Sequence, residues 1–174
     1  MNVTENDLEL LRNFAGGDRQ SLGELALRHE RAMLGVAKAM LGGREHLALE
    51  AVQETWISVI RGAKGFRGKS TVKTWIWRIL IRTCTRLRRR EARTPARMGD
   101  GVTHSQCEAM DDELLWAVER LPARLRHVVF LCYARDMTHQ DVAAVLGIPV
   151  GTVKSRLNAA LLRLRTGLAQ GDDK

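Results

Sequence analysis

The residues best suited to chemistry lie between Thr138 and Leu157. In a helix starting near Val150, the residues Gly151, Thr152, Ser155, Asn158 and Ala159 fall on one side, with Lys154 and Arg156 flanking them. Short hydroxyl and amide side chains at a helix amino terminus reach base edges in a DNA major groove. Flanking cations meet phosphates and fix the helix without reading sequence, and the free N–H groups of the helix start favour a phosphate as well. The preceding residues suit a helix-turn-helix. Thr138 can cap a short helix with Asp141 at its third position, Ala143 is small where two helices must approach, and Gly147 can take the left-handed turn conformation. On the second helix Val153, Leu157, Ala160, Leu161 and Leu164 share an arc of about 100°, the width of a core stripe.

A second concentration of chemistry is electrostatic. Residues 61–97 carry thirteen Lys/Arg against one Asp/Glu, whereas residues 1–60 carry six against nine and residues 98–120 one against six. The remainder, 121–174, carries eight against four, and the whole chain has a formal charge of +8. Basic blocks of this kind meet a polyanion. Catalytic groupings are not evident. His29, His46, His104, His127 and His139 are scattered, and the chain shows no metal-ligand cluster, phosphate loop or acid pair of suitable spacing. Cys84, Cys107 and Cys132 are odd in number and more than twenty residues apart, which suits reduced thiols rather than a disulfide framework or a zinc site. The expectation is a protein that is not an enzyme and needs no cofactor or metal. With no apolar run of eighteen residues and no leader pattern at Met1, it is expected to be soluble, without membrane insertion, and cytoplasmic.

The elements that would position these groups are helices. Long periodic stretches, three prolines and one tyrosine predict an all-α protein. Thr4 with Asp7 resembles a capping box for a first helix, which Gly16-Gly17 ends. A second helix runs from about Asp18 to Leu41 with Leu22, Leu25, Ala26, Met33, Val36, Ala37 and Met40 inward, and Gly42-Gly43 stops it. A third spans about Glu45 to Arg61, burying Leu49, Val52, Trp56 and Val59 or Ile60. After a loop from Gly62 to Lys69, Ser70 is the expected N-cap of a fourth helix reaching about Arg93. Its core arc is Val72, Trp75, Ile76, Ile79, Leu80, Thr83 and Leu87. The opposite arc holds Thr74, Trp77, Arg78, Ile81, Thr85, Arg88 and Arg89, so Trp77 and Ile81 are expected to form an exposed contact patch. Residues 94–110 lose periodicity and read as a flexible linker. Helices are then expected at Asp111–Leu121, Pro122–Arg135, Thr138–Leu146 and Val150–Leu168. The expected architecture is therefore two small helical domains, 1–93 and 111–174, the second containing the helix-turn-helix.

Several of these strings resemble the extracytoplasmic-function (ECF) branch of the sigma-70 family of RNA polymerase sigma factors. Leu121-Pro122, Arg126, Val128-Val129-Phe130-Leu131, Asp141-Val142-Ala143, Gly147 and the run Gly151-Thr152-Val153-Lys154-Ser155-Arg156 follow that family's carboxyl-terminal domain in order and spacing. Val52-Gln53-Glu54, Phe66-Arg67-Gly68-Lys69-Ser70, Thr74-Trp75-Ile76 and Arg88-Arg89-Arg90 are similar to its first domain, so the resemblance covers about residues 10 to 168.

The resemblance implies a subunit that binds core RNA polymerase, recognises double-stranded promoter DNA and helps melt it. Glu50, Gln53 and Glu54 fall on the family's polymerase-binding helix. The loop and fourth helix correspond to the part that captures the melted minus-ten element. Phe66, Arg67, Lys69, Lys73, Trp77, Arg78, Arg88 and Arg89 would supply the stacking platform and cationic track that unpaired bases need. Thr152, Lys154, Ser155, Arg156, Asn158 and Ala159 would read the minus-thirty-five element. Family members are often held inactive by an anti-sigma protein, which Trp77 and Ile81 would serve. Three departures stand out. Glu50-Ala51 replaces a usual Asp-Leu, Arg82 and Arg86 lie where Asn and Asp are common, and Ala159 stands where an arginine is frequent. A free-standing operator-binding regulator would use the same helix-turn-helix but would leave the amino-terminal half unexplained.

Overall fold

The computed structural model describes residues 3–93, 117–118, 120–133 and 137–169, with backbone alone at 3–5 and 167–169. The chain divides into two compact units, Met1–Thr103 and His104–Lys174. Every regular element among the described residues is helical. The expected linker at 94–110 and most of the helix expected at Asp111–Leu121 fall outside those residues.

The first unit contains α1 (Val3–Ala15), α2 (Arg19–Met40), α3 (Glu45–Gly62) and α4 (Val72–Arg93), with a single 3₁₀ turn at Ala63–Gly65 inside the expected loop. The punctuation follows the glycines. Gly17, Gly42 and Gly43 adopt φ of 113°, 69° and 76°, backbone that residues with a Cβ resist. Asp18 caps α2, accepting from the Gln20 N–H at 2.9 Å and the Ser21 hydroxyl at 2.6 Å. Those two hydrogen bonds, Ser21 first, hold the Asp18 carboxyl below its ordinary range.

Two expected caps are corrected. Thr4 lies inside α1, which already begins at Val3, so it does not precede the helix as a cap would. Asp7 is 1% exposed and turns instead to α2, where it accepts from His29 Nε2 at 2.7 Å and Arg28 Nη1 at 3.2 Å. For α4 the cap is Thr71 rather than Ser70: the Thr74 N–H donates to Thr71 Oγ1 at 3.0 Å. The start is thus one residue later, where the side-chain oxygen stands three residues before the amide it satisfies.

The core of this unit is Leu25, Met33, Val36, Ala37, Leu47, Val52, Val59, Ile76, Leu80 and Leu87, all essentially inaccessible. On α2, Leu22 and Ala26 are only half-buried, while Ser21 and His29 occupy buried positions that an apolar pattern does not reveal. On α3 the inward side is built from small residues, Ala48, Ala51 and Thr55 beside Leu47, Val52 and Val59. That choice lets α3 pack closely against α2 and α4. Leu49, expected inside, is 51% exposed, and Ile57 and Ile60 are exposed with it.

The second unit contains α5 (Ala123–Tyr133), α6 (His139–Leu146) and α7 (Val150–Ala169). Pro122 precedes α5, where no donor is needed, and its carbonyl accepts from Leu125 and Arg126 at 2.8 and 3.1 Å. The expected capping box forms at α6. The Asp141 N–H donates to Thr138 Oγ1 at 3.1 Å and the Thr138 N–H to Asp141 Oδ2 at 3.2 Å. Gly147 closes α6 in the left-handed conformation, φ 67° and ψ 38°. Val128, Phe130, Leu131, Val142, Val145, Val153, Leu157, Ala160 and Leu164 form the core of the three helices.

The Asp7–His29 pair ties α1 to α2 from within, and removing one partner leaves a carboxylate without its main donor. His29→Ala is expected to lower the unfolding free energy by about 3 kcal/mol in urea titration. A loss below about 0.5 kcal/mol, the range of surface substitutions, would show that α1 does not depend on the pair.

Candidate nucleic-acid and partner interfaces

α7 presents the expected surface. Val153, Leu157, Ala160 and Leu164 turn inward, and Leu161 is half-buried. Lys154, Ser155, Asn158 and Ala159 are exposed on the other side, with Thr152 and Arg156 half-buried at its margins. Pro149 launches the helix, its carbonyl accepting from Thr152 and Val153 at 2.9 and 3.2 Å. The Ser155 hydroxyl donates to the Thr152 carbonyl at 3.1 Å, which leaves its lone pairs available as acceptors. The six residues expected there thus lie together at the amino-terminal end of one helix side. Two hydroxyls, an amide and a methyl group form a strip edged by two cations.

In the first unit the aromatic residues exchange roles. Trp77, expected among the exposed arginines, is 1% exposed, and Ile81 is buried with it. Neither can stack on a base or meet a partner. The cause is that α4 packs against α1, α2 and α3 together. Its buried set (Val72, Thr74, Ile76, Trp77, Leu80, Ile81, Thr83, Cys84, Leu87) therefore covers more than half the helix circumference instead of one stripe. Trp75, expected in the core, is half-buried and faces the loop, its ring 5.0 Å from that of Phe66 at an interplanar angle of 44°. This is a tilted aromatic contact. Gly62 makes room for it, since a Cβ there would stand 2.9 Å from Trp75 Cζ2. Trp75 thus anchors the loop through Phe66, a role that the glycine and phenylalanine on the loop could have signalled.

Beside that contact a cleft of about 280 Å³ opens between α1 and the loop, lined by Leu8, Leu11 and Arg12 on one side and Lys64, Phe66 and Arg67 on the other. Arg12 and Lys64 were not among the expected site residues. The cleft thus brings apolar side chains, one aromatic ring and three cations together. Among the other expected cations, Arg67, Lys69 and Arg89 are exposed, and Lys73, Arg78 and Arg88 are half-buried along α4.

α3 carries the remaining expected residues. Gln53 is exposed and shares an arc of about 100° with Leu49, Trp56, Ile57 and Ile60. Glu50 and Glu54 border that arc and face α4. The Arg90 guanidinium donates to both Glu50 oxygens at 2.8 and 2.9 Å, and Arg86 donates to Glu54. The hydrogen bond from Arg90 holds the Glu50 carboxyl below its ordinary range. Neither described cysteine is poised for nucleophilic chemistry. Burial pushes the Cys84 thiol up to about 12 and raises that of Cys132.

With this geometry in hand, comparison with known proteins is decisive. Residues 25–94 match the sigma-70 region 2 family model and residues 111–164 match sigma-70, region 4. The chain is 33% identical over 163 residues to the ECF RNA polymerase sigma factor SigM of Mycobacterium tuberculosis, covering 91% of this chain and 83% of that protein. This chain is an ECF sigma factor of the sigma-70 family. The RNA polymerase sigma-H factor of Pseudomonas aeruginosa is also similar, 28% identical with 90% of this chain and 91% of that one covered. In fold, the sigma factor resembles CnrH, solved with the cytosolic domain of CnrY, at a TM-score of 0.74, 22% identity and coverage of 97% and 99% of the two chains. Sigma factors are initiation factors that serve RNA polymerase at promoters and are not enzymes. In this sigma factor region 2 is the α2–α4 body, and region 4 contains α5–α7 with the helix-turn-helix. Among the described helices none is long and apolar enough to cross a membrane.

The exchange of Trp75 and Trp77 makes a checkable distinction. Trp77→Ala empties a core position and is expected to destabilise the first unit by about 3–5 kcal/mol in thermal or urea unfolding. Phe66→Ala removes only one tilted aromatic contact and is expected to cost about 1 kcal/mol. Equal losses for the two would contradict the burial of Trp77.

Proposed function

We propose that this chain binds core RNA polymerase through the exposed side of α3, captures unpaired promoter bases with the 63–71 loop and α4, and reads a duplex element with α7. The single observation that carries the division of labour is that the surfaces differ in kind. α3 offers apolar side chains bordered by acids, the loop offers a cationic cleft with an aromatic wall, and α7 offers short polar groups on a convex helix.

Each kind suits its ligand. Leu49, Ile57 and Ile60 beside Gln53 suit a protein helix pair, because exposed apolar area at helical spacing is gained back only by burial against a partner. Phe66 with Arg12, Lys64, Arg67 and Lys69 suits an unstacked base whose phosphates need counter-charge. Lys73, Arg78, Arg88 and Arg89 extend that cationic track along α4. On α7, Asn158, Ser155 and Thr152 carry the base-reading groups, Ala159 offers a methyl to a thymine methyl, and Lys154 with Arg156 holds phosphates. An anti-sigma protein for this chain would not contact Trp77 or Ile81, which are buried; the exposed apolar side of α3 is a surface that suits one. A chain that serves RNA polymerase would act in the cytoplasm, beside the chromosome.

The experiment is co-elution of the purified chain with core RNA polymerase, followed by transcription from a library of promoter fragments. Retention with transcripts starting from a discrete promoter subset is expected. Sequence-specific DNA binding without polymerase retention would instead identify a free-standing regulator.

Within that assay the surfaces separate. Leu49→Asp with Ile57→Asp places charge in the proposed docking side and is expected to weaken polymerase retention by about thirtyfold, the effect of a hot spot of about 2 kcal/mol. Undiminished retention would move the docking site elsewhere. Lys154→Ala is expected to weaken all promoters alike and to reduce the salt slope of duplex binding by about 1. Asn158→Ala is expected to change discrimination at one base pair by about 1–3 kcal/mol. Uniform loss across promoter variants from Asn158→Ala would contradict its placement at a base edge.

A further inference from the structure

The arginines of α4 do not all face the same surroundings. Arg86 and Arg90 stand one helical turn apart, as do Glu50 and Glu54 on α3, and the two rows meet. Arg90 engages Glu50 through two nitrogens at 2.8 and 2.9 Å, the fork geometry that a guanidinium also offers to a phosphate. Arg86 donates to Glu54.

These pairs are not part of the core. The arginine side chains are 56% and 49% exposed, and each glutamate is 33% exposed. Exposed pairs contribute little to stability and exchange readily with other ions. The packing of α3 on α4 is already supplied by buried residues such as Val52, Val59, Leu80 and Leu87. What the two glutamates do accomplish is electrostatic: they neutralise two of the cations in the chain's most basic segment. Their position also matters. Each lies between α4 and the exposed apolar arc of α3, so anything that docks on that arc reaches them from the other side.

We propose that Arg86 and Arg90 are phosphate-binding residues held in reserve, and that Glu50 and Glu54 occupy them as an internal substitute for the nucleic-acid backbone. In the free chain Glu50 and Glu54 engage Arg90 and Arg86, and a single strand lying along α4 meets the other cations of that helix without these two. A cationic partner surface that takes the glutamates frees the arginines, so occupation of α3 and binding of a strand to α4 favour each other, reciprocally. This inference rests on the assignment of α4 to single-stranded DNA. The masking itself is a property of the free chain and is tested without polymerase.

The test is fluorescence anisotropy of a labelled oligothymidylate twenty-mer with the full chain over a series of NaCl concentrations. Four proteins are compared: the wild type, Glu50→Gln with Glu54→Gln, Glu9→Gln with Glu24→Gln, and the quadruple variant that adds Arg86→Gln and Arg90→Gln to the first pair. Both glutamate pairs change the net charge equally, and Glu9 and Glu24 are exposed residues of α1 and α2. Freeing two arginines is expected to tighten binding by about tenfold at low salt and to steepen the slope of log K against log salt by about 1.4, two further phosphates on a single strand. The Glu9/Glu24 variant should keep the wild-type slope, and the quadruple variant should lose the gain. Equal slopes for the two glutamate pairs, or a gain that survives loss of both arginines, would overturn the proposal, as would absence of binding by every variant. Failure of polymerase co-elution alone would overturn the functional assignment of α3 and leave the masking standing.

Discussion

The packing of α4 against three other helices is the constraint on which the first unit depends. Val72, Ile76, Leu80 and Leu87 occupy one side of that helix, and Trp77, Ile81 and Cys84 extend burial round to a second. Only the remaining side is left for solvent, and that side carries Arg82, Arg86, Arg89 and Arg90. One helix is therefore both the hydrophobic axis of the unit and its most cationic surface. A polyanion drawn to it meets a rigid element whose side chains are set by core packing, which is how a scaffold presents charge at fixed spacing. The same burial turns Trp75 toward the loop, so the cleft beside Phe66 inherits its shape from the core.

What the sequence made legible follows from how local each rule is. The capping box of Thr138 and Asp141 and the left-handed Gly147 are decided within a few residues, and both appear as expected. α7 was readable because it has one buried side, so periodicity alone assigns its two surfaces. α4 was not, because a stripe argument presumes a single core side, and three neighbouring helices make a wider one. The two tryptophans were exchanged for that reason. Asp7 and His29 stand 22 residues apart, and no pattern along the chain pairs a buried acid with a buried imidazole. On α3 the rule that apolar residues point inward failed for Leu49, while Ala48, Ala51 and Thr55 took the interior. Thr55 does so by returning its hydroxyl hydrogen bond to the Ala51 carbonyl at 2.7 Å. Disagreement between local pattern and burial tends to mark a functional surface, and here it marks the side of α3 assigned to a partner.

Charge tallied by segment misled in a related way. The amino-terminal excess of acid and the basic block at 61–97 look like separate features of the sequence, yet the fold brings Glu50 and Glu54 onto Arg90 and Arg86, and Arg44 to 3.6 Å from Glu91. Part of the positive field is thus spent within the unit. The effective cationic surface is smaller and more sharply placed than the composition suggests, concentrated at the loop and along the far side of α4. On the proposed reading such a focused field would steer a strand toward the cleft, whereas a uniform one would bind nucleic acid of any form.

The modest equipment of α7 then becomes intelligible on the proposed reading. Its strip has an amide, two hydroxyls and a methyl, and its one arginine, Arg156, stands half-buried at the margin rather than at the centre. Read alone, such a surface would discriminate weakly. On the same proposal, however, the chain has a second nucleic-acid surface in its other unit, and binding by one unit would convert engagement of the other into an intramolecular event. Effective concentrations for tethered sites are on the order of millimolar, so two contacts that are weak apart become strong together without new interactions. Specificity can then be divided between a duplex element and a melted one, each read by few groups. Neither surface needs to hold DNA by itself, and a protein carrying both has reason to keep each of them weak.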